Sequence, residues 1–262
     1  MAGLRLVLVG WGAIAQRVAA LLPEGVVLAG VGLRPGSTAD LPDGVVRLDS
    51  PEGLAGLAAD LVIEAAGRTA VEPWGCAALA AGADFAPAST SALTDVALLD
   101  RLVAAARQSS RQLVIPPGAL GGIDALAAAR VLPLSEVRHE IIKPPAAWAG
   151  TEAETLCDLR KLTDAVAFFE GSADQAAARF PQNANVAAIT ALAGLGMART
   201  VVALVADPGA VRNAHHVTAT GDFGRMTIRL ENRPMTTNPK TSELTALSLV
   251  RLVANRVNPM VI

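Results

Sequence analysis

The chain contains 262 residues, with 24 acidic and 22 basic side chains and a formal net charge of −2, and this length suffices for one large domain or two modest ones. Its aromatic content is only 3% and its basic residues are dispersed, which argues against a nucleic-acid-binding surface. The longest uncharged run, 180–198, opens with polar residues and then holds about a dozen apolar ones, against the roughly 20 that a membrane-spanning helix needs.

The N-terminus and the cysteines predict a cytoplasmic protein. The first residues lead directly into an apolar run, 4–9, without the basic segment and cleavage site of a secretory signal. Cys76 and Cys157 are far apart in the sequence, so we expect neither a disulfide framework nor a zinc site, but two small buried apolar residues.

A glycine-rich fingerprint follows the first predicted strand. The apolar run that starts the chain predicts a buried strand, GWGAIA (10–15) follows it directly, and a helical pattern comes next. This is the G-x-G-x-x-[GA] motif in the context that dinucleotide binding requires. Gly10 permits the tight turn, and Gly12 lets a pyrophosphate approach the backbone. The N–H groups of Ala13 and Ile14, at the helix start, can then bind phosphate.

The residue after the second predicted strand bears on the choice of cofactor. That strand, VVLAGV (26–31), usually leads to an Asp or Glu that accepts a hydrogen bond from the ribose of NAD. Here Arg34 stands at about that place, and a guanidinium cannot accept a hydrogen bond but can bind the 2′-phosphate of NADP. The sequence therefore favours NADP and leaves NAD open.

Short apolar runs and amphipathic segments continue to alternate up to residue 118. The apolar runs lie at 59–67, 83–93 and 112–118, and the helical patterns lie at 69–81 and 94–107. This alternation predicts an α/β domain with a doubly wound parallel sheet, the Rossmann fold. Ligands of such sheets bind at the carboxyl ends of the strands, so we expect three segments beside the cofactor: 65–67, 89–91 and 116–119.

The second half of the chain predicts an α+β domain with an open, mixed and largely antiparallel sheet. Its longer strand patterns lie at 135–143, 200–207, 213–221 and 225–232, and its helical patterns lie at 172–180 and 186–198. The last segment keeps a helical period behind a cap region and could pack back on the first domain. We therefore expect a dinucleotide-binding domain of residues 1–117 plus 238–262, and an inserted catalytic and dimerisation domain of residues 118–237.

The chain has three histidines, and two of them, His215 and His216, are adjacent in a predicted strand. Histidine has an ordinary pKa of about 6.5, which suits proton transfer near neutral pH. Because neighbouring side chains of a strand point to opposite faces, only one of the pair can line a given pocket. The alternation alone does not choose between the face of His215, which also carries Asn213, and the face of His216. The third histidine, His139, lies in the middle of another predicted strand.

Five stretches together resemble the L-aspartate dehydrogenase family. They are GWGAIA, IPPGALGGIDAL (115–126), EGSADQAAARFPQNANVAA (170–188), ADPGAVRNAHHV (206–217) and NPKTSELTALS (238–248), and they span nearly the whole chain. The resemblance implies a Rossmann domain joined to an α/β domain of the dihydrodipicolinate reductase type. It also implies NAD(P)-dependent oxidative deamination of L-aspartate to oxaloacetate and ammonia through iminoaspartate, which can instead feed NAD biosynthesis. Two departures from the family are Pro117, where serine is frequent, and Arg34.

The same resemblance implies roles for particular residues. His215, in the N-x-H element, matches the family's catalytic histidine, and Asn213 on the same strand face is a candidate orienting and substrate-binding neighbour. Ala119 corresponds to the position that meets the cofactor through its backbone amide. Asn185 corresponds to a side chain near the nicotinamide.

The two carboxylates of such a substrate need cations or amide groups. Lys143 ends a predicted strand before two prolines, and Lys240, Thr241 and Ser242 precede a helical pattern, where an anion is favoured. We expect these residues to bind substrate. A surface charge at Lys143 and a plain helix cap at Thr241 or Ser242 explain the same pattern.

Two alternatives stay open at this point. A reductase or dehydrogenase of the dihydrodipicolinate reductase or homoserine dehydrogenase type would use the same fold on another substrate. A non-catalytic NAD(P)-sensing protein would keep Gly10 and Gly12 but have no need of His215. Because this fold class commonly pairs through the sheet of its second domain, and two-fold dimers are the commonest assembly, we expect a homodimer.

Overall fold

The computed structural model describes residues 3–262, apart from the side chain of Lys240. The chain divides into two compact units: unit 1 comprises the residues up to Gly118 together with Thr245–Ile262, and unit 2 comprises Ala119–Leu244. Each unit contains one five-stranded sheet. Within the described residues, no helix combines the length and the apolar character needed to cross a membrane.

Unit 1 is a parallel sheet whose strands alternate with helices. Its elements are β1 (Leu4–Val9), α1 (Ala13–Ala20), β2 (Val26–Gly32), β3 (Val46–Leu48), β4 (Leu61–Glu64), α2 (Arg68–Ala80), β5 (Asp84–Pro87) and α3 (Val96–Ser109), with short 3-10 helices at Pro51–Gly56 and Thr90–Thr94. The strand order is β3-β2-β1-β4-β5, and every pair is parallel. The order reverses between β1 and β4, so the carboxyl ends of these two strands form the switch point where such sheets bind ligands.

The segment 112–118, which was expected to be a further strand, is not one. It forms a single parallel bridge, between Leu113 and Phe85 of β5. Pro116 and Pro117 follow, and because proline has no N–H group the ladder cannot continue through them.

Unit 2 combines a mixed sheet with short helices. Its elements are α4 (Ile123–Ala129), β6 (Leu134–Lys143), α5 (Ala153–Leu156), β7 (Val166–Ser172), α6 (Ala173–Arg179), α7 (Ala184–Ala193), β8 (Val201–Ala206), β9 (Asn213–Gly221), β10 (Gly224–Asn232), β11 (Pro234–Met235) and β12 (Asn238–Ser242), with 3-10 helices at Pro145–Trp148 and Pro181–Asn183. The main strand order is β10-β9-β6-β8-β7. The β6–β8 pair is parallel and the other three pairs are antiparallel, which confirms the expected open mixed sheet.

The apolar core of unit 2 gathers helices and one face of this sheet. Its almost fully buried members include Ile141, Trp148, Phe180, Val202 and Leu204. Along β6 the alternate residues Val137, His139 and Ile141 are fully buried, whereas the residues between them are partly exposed. This strand therefore presents one face to the core, and a histidine belongs to that face.

The last helix of the chain begins later than its sequence pattern indicated. The helix, α8, spans Glu243–Val257, and residues 238–242, which were expected to form its cap region, are the strand β12. A turn at 236–237 brings this segment back to pair with β11, so its backbone bonds belong to a ladder and not to a helix terminus. The Ser242 hydroxyl still accepts a hydrogen bond from the Leu244 N–H (3.2 Å).

We expect the ion pair between Asp84 and Arg256 to stabilise unit 1. Arg256 of α8 contacts the nearly buried Asp84 carboxylate, which also accepts a hydrogen bond from the Gln112 N–H (2.8 Å). In an Arg256→Met variant the carboxylate stays buried without its countercharge, so the free energy of unfolding should fall by about 1–3 kcal/mol. Chemical denaturation measures the loss, with Arg107→Met on the exposed side of α3 as the control. Equal stabilities of the two variants would contradict this expectation.

Candidate active site

The turn after β1 leaves room for a ligand at one of its glycines. Gly10 has a φ of +90°, and a Cβ there would lie 2.8 Å from the Ala65 carbonyl oxygen, so this position requires glycine. Gly12 has an ordinary φ of −85°, and a Cβ there would meet no atom within 4 Å. The first turn of α1, with the N–H groups of Ala13 and Ile14, begins beside this open space. The space and the helix N–H groups fit the pyrophosphate of a dinucleotide.

A buried carboxylate at the end of β4 organises the loops that follow β4 and β5. Glu64 is 0% exposed, and its Oε1 accepts hydrogen bonds from the N–H groups of Ala66 (2.7 Å) and Gly67 (2.6 Å). The N–H and the hydroxyl of Ser89 also donate to this carboxylate, at 3.1 and 3.0 Å. Burial raises the pKa of the Glu64 carboxyl, and these hydrogen bonds oppose the rise. The sequence analysis missed Glu64, although an acid that ends an apolar strand is a visible signal.

Arg34 lies just beyond β2, with its side chain exposed. Its carbonyl accepts a hydrogen bond from the Ser37 N–H (3.1 Å), which closes a tight turn. The carboxyl end of β2 is the edge at which the ribose of a dinucleotide lies in this fold. An exposed guanidinium at this edge suits a phosphate group.

Two imidazoles are in contact within unit 2. His215 on β9 is 5% exposed and His139 on β6 is fully buried, and the atoms His215 Nδ1 and His139 Nε2 are 3.0 Å apart. In the antiparallel register His215 lies opposite Ile141, so the two rings meet on a diagonal of one sheet face. His139 Nδ1 lies 2.9 Å from the hydroxyl of Thr190 on α7. The hydrogen-bond neighbour of the His215 ring is therefore His139.

His216 belongs to the opposite face of the sheet. It lies opposite Glu140 in the register, and its Nδ1 is 3.0 Å from the Glu140 Oε2. Arg138 forms ion pairs with Glu140 and with Glu170. His216 is thus part of a charged surface network, while His215 is buried among neutral groups and one lysine.

That lysine, Lys143, ends β6 on the same strand face as His139. Its Nζ lies 2.6 Å from the Oδ1 of Asn183 and 4.7 Å from the centre of the Trp148 ring, a cation–π distance. Burial lowers the pKa of Lys143 to about 8. Burial, and after it the charge of Lys143, lower the pKa of His215 to about 4, so the His215 ring is neutral at pH 7. Burial, and after it repulsion from His215 in its protonated form, hold the pKa of His139 well below its ordinary value.

The structure brings together only some of the predicted residues of unit 2. Asn185 lies at the start of α7 and is exposed, whereas Asn183, which the sequence analysis did not single out, is buried and bonded to Lys143. Asn213 begins β9 and is half-buried. The Ala119 carbonyl accepts a hydrogen bond from Asn232 Nδ2 (2.9 Å), which ties its loop to the end of β10.

Lys240, Thr241 and Ser242 lie in β12, and α8 begins directly after them at Glu243, so they precede a helix N-terminus as the sequence predicted. The Thr241 Oγ1 accepts a hydrogen bond from Asn238 Nδ2 (3.2 Å) within this strand. The side chain of Lys240 lies outside the described residues.

Two families match this chain. Residues 124–256 match the family described as Aspartate dehydrogenase, C-terminal, and residues 10–116 match the one described as Homoserine dehydrogenase, NAD binding domain. The chain is 55% identical over 262 residues to an L-aspartate dehydrogenase of Brucella anthropi, with 98% of each chain covered. It is 44% identical over 259 residues to an L-aspartate dehydrogenase of Cupriavidus taiwanensis, with 96% of this chain and 97% of the relative covered.

Solved structures give the same result. The crystal structure of an aspartate dehydrogenase from Thermotoga maritima matches with a TM-score of 0.81 at 28% identity, over 99% of each chain. A dihydrodipicolinate reductase from Paenisporosarcina matches with a TM-score of 0.57 at 13% identity, over 97% of this chain and 94% of the other, and shares the fold.

A parallel sheet with an open glycine turn in unit 1, together with the match of residues 10–116 to an NAD-binding domain, defines the class as NAD(P)-dependent dehydrogenases. The matches over nearly the whole chain go one step further. The chain belongs to the L-aspartate dehydrogenase family, which confirms the resemblance inferred from its sequence.

Alanine should act differently at the two glycines of the turn. In Gly10→Ala the new Cβ presses on the Ala65 carbonyl at a positive φ, so we expect a loss of about 1–3 kcal/mol in the free energy of unfolding. In Gly12→Ala the Cβ meets no protein atom, so stability should stay within about 0.5 kcal/mol of the original. The Cβ does occupy the space proposed for the pyrophosphate, and NADH and NADPH should bind about tenfold more weakly, or 1.4 kcal/mol. Denaturation and fluorescence titration measure both effects, and an unchanged affinity of Gly12→Ala would refute this placement.

Proposed function

We propose that the chain is an L-aspartate dehydrogenase, which converts L-aspartate, water and NAD(P)+ to oxaloacetate, ammonia and NAD(P)H through iminoaspartate. The observation that carries the proposal is the presence of a buried neutral His215 and the cationic Lys143 within one cluster of unit 2. A neutral imidazole accepts protons and a partly buried ammonium binds a carboxylate, and the oxidation of an acidic amino acid needs both. The relatives named above support the same substrate.

The reaction requires proton removal at nitrogen and hydride removal at carbon. The substrate ammonium first loses a proton to solvent, and loss of the hydride from Cα then gives the protonated imine. Bound NAD(P)+ supplies the hydride acceptor. A water adds to the imine carbon and loses a proton, and the C–N bond then breaks to release ammonia and oxaloacetate.

His215 acts as the general base in this scheme. Its low pKa keeps the ring unprotonated across the neutral range, so the accepting form is present before substrate binds. The two negative charges of L-aspartate raise the pKa of His215 towards neutrality on binding, which increases its strength as a base. It takes the proton of the attacking water at the ring nitrogen that does not face His139, and returns it to the departing amine.

Lys143 binds one of the substrate carboxylates. With a pKa of about 8 it is mostly protonated at pH 7, and an arriving carboxylate stabilises the charged form further. The amide oxygen of Asn183 is its partner before substrate binds. For the second carboxylate we propose Asn213 and residues 240–242.

The two units divide the remaining roles. We propose unit 1 as the dinucleotide-binding domain, through Gly10, Gly12 and the first turn of α1, and unit 2 as the catalytic and dimerisation domain. The family resemblance assigns the Ala119 amide and the Asn185 side chain to the cofactor. Arg34 supports NADP over NAD because its guanidinium can pair with the 2′-phosphate.

We propose further that the protein is a cytoplasmic homodimer. Two-fold dimers are the commonest assembly of soluble chains, and the second unit carries an open five-stranded sheet on which copies can pair. Nicotinamide dinucleotides are substrates of cytoplasmic metabolism, which supports the location.

Purified protein should reduce a nicotinamide dinucleotide with L-aspartate and not with L-homoserine, L-alanine or L-glutamate. Absorbance at 340 nm at mildly alkaline pH measures this with NAD+ and with NADP+. A His215→Ala variant should lose about 10²- to 10⁴-fold in kcat, as expected for removal of a general base. His216→Ala is the control, because it changes the neighbouring residue on the opposite face of the sheet. Its kcat should stay within about threefold of the original value, a much smaller change than the loss of a general base causes. Absence of turnover with L-aspartate, in protein that binds NADPH, would refute the proposed activity.

Removal of the Arg34 charge should change cofactor preference. In Arg34→Gln we expect the KM for NADP+ to rise about tenfold, since one charge-assisted pair is lost. The KM for NAD+, which has no 2′-phosphate, should change by less than about twofold. Steady-state kinetics with both cofactors at saturating L-aspartate tests this, and equal changes in the two KM values would argue against a role for Arg34 in recognising the phosphate.

A further inference from the structure

His139 and Thr190 are buried beside His215 and have no role in the scheme described so far. Both residues are 0% exposed. They form a continuous chain of contacts that starts at the backbone of α7 and ends at the imidazole of His215. Such a chain can fix the position of protons because each member has a limited number of donors and acceptors.

The donor-to-acceptor direction of this chain of hydrogen bonds follows from Thr190. The Thr190 Oγ1 donates to the Val186 carbonyl oxygen (3.1 Å) on the preceding turn of α7, and a carbonyl can only accept. A hydroxyl has one hydrogen, so the Thr190 oxygen must accept the bond from His139 Nδ1 (2.9 Å). His139 thus carries its proton on Nδ1 and presents a lone pair at Nε2.

The same reasoning extends to His215. Because His139 Nε2 is an acceptor, the 3.0 Å contact requires His215 to donate from Nδ1. A neutral imidazole carries one proton, so the lone pair of His215 lies on Nε2. The opposite tautomer of His215 would place two lone pairs against each other unless His139 and Thr190 both reversed at the same time.

We propose that Thr190 and His139 are positioning residues that hold His215 in the Nδ1–H tautomer, with Nε2 as its proton-accepting atom. This inference rests on the proposed function for its catalytic meaning, since that function makes His215 the base. The tautomer itself follows from the hydrogen bonds and does not depend on the proposed function.

The surroundings of His215 agree with this assignment. The hydrogen bond found for the His215 ring among the described residues is the one at Nδ1, and Nε2 is not among the buried polar atoms that lack a partner, which agrees with an Nε2 that is open to a ligand. The charged and titratable groups that face His215 are His139 and Lys143, both on β6, and β10 presents Leu230 in the paired position. The Nδ1–H therefore points to a neutral ring, where many catalytic histidines have a carboxylate.

Substitutions at Thr190 separate this role from simple packing. Thr190→Val keeps the shape of the side chain and removes the hydroxyl, so His139 Nδ1–H loses its acceptor and the pair should shift towards the tautomer with a proton on His215 Nε2. Thr190→Ser keeps the hydroxyl and should restore the original tautomer. Thr200→Val is the matched control, because it makes the same change at another fully buried threonine of unit 2, whose hydroxyl has no partner.

Two measurements on the full chain decide the matter. The first is ¹⁵N NMR of protein labelled in its histidine rings, in which the three histidines are assigned through His→Gln variants. The original protein and Thr190→Ser should show His215 protonated on Nδ1 and bare on Nε2, and Thr190→Val should show a growing Nε2–H population. The second is turnover of L-aspartate, where kcat/KM should fall about 10- to 100-fold in Thr190→Val, the range found when partners that orient a functional histidine are removed. Thr200→Val should match the original protein in both.

The outcomes separate this inference from the proposed function. A proton on His215 Nε2 in the original protein, or an unchanged tautomer in Thr190→Val, would overturn the inference whatever the enzyme's activity. Protein that shows the expected tautomers but does not oxidise L-aspartate would support the positioning role of Thr190 and His139 and overturn the proposed function. An equal loss of turnover in Thr190→Val and Thr200→Val, with unchanged tautomers, would reduce Thr190 to a packing role.

Discussion

Two buried imidazoles, His139 and His215, share a 3.0 Å hydrogen bond in the sheet of unit 2, and the rest of the unit 2 site depends on it. Among the described residues no carboxylate contacts either ring, so both rings must be neutral to stay buried. The bond exists only while β6 and β9 keep their antiparallel register and while α7 holds Thr190 next to His139. The register of β6 and β9, the position of α7 and the protonation state of His215 therefore depend on one another.

Lys143 adds a charge to this neutral pair, and among the described residues no carboxylate forms an ion pair with it. Its ammonium is held by the Asn183 amide oxygen and the Trp148 ring, and its charge contributes to the low pKa of His215. A partly buried cation beside a buried neutral base favours an anionic ligand, because the ligand supplies the missing charge. Unit 1 contains the opposite arrangement, a buried carboxylate whose hydrogen bonds are all made within the protein. Glu64 accepts hydrogen bonds from N–H and hydroxyl groups of the loops after β4 and β5. It therefore organises these loops and does not bind a charged partner.

The sequence predicted the features whose causes are local. The dinucleotide turn depends on a positive φ at Gly10 and open space at Gly12, and both follow from a few consecutive residues. Two local patterns were wrong for different reasons, one because of prolines within the segment and one because of pairing with another strand. Residues 112–118 have the composition of a strand, yet their prolines end the ladder after one bridge, and 238–242 look like a helix cap, yet they pair with β11.

The sequence by itself determined the family, the Rossmann fingerprint and the separation of His215 from His216, because motif spacing and the two-residue period of a strand are properties of the chain alone. Only the tertiary structure decided the burial, the hydrogen-bond partners and the protonation state of each histidine. His139 and His215 are 76 residues apart in sequence, and neither segment contains a signal of their contact. Burial, tautomer and pKa depend on neighbours that sheet register and helix packing bring together. For the same reason Thr190 and Asn183 were recognised only once the strands and helices around them were in place.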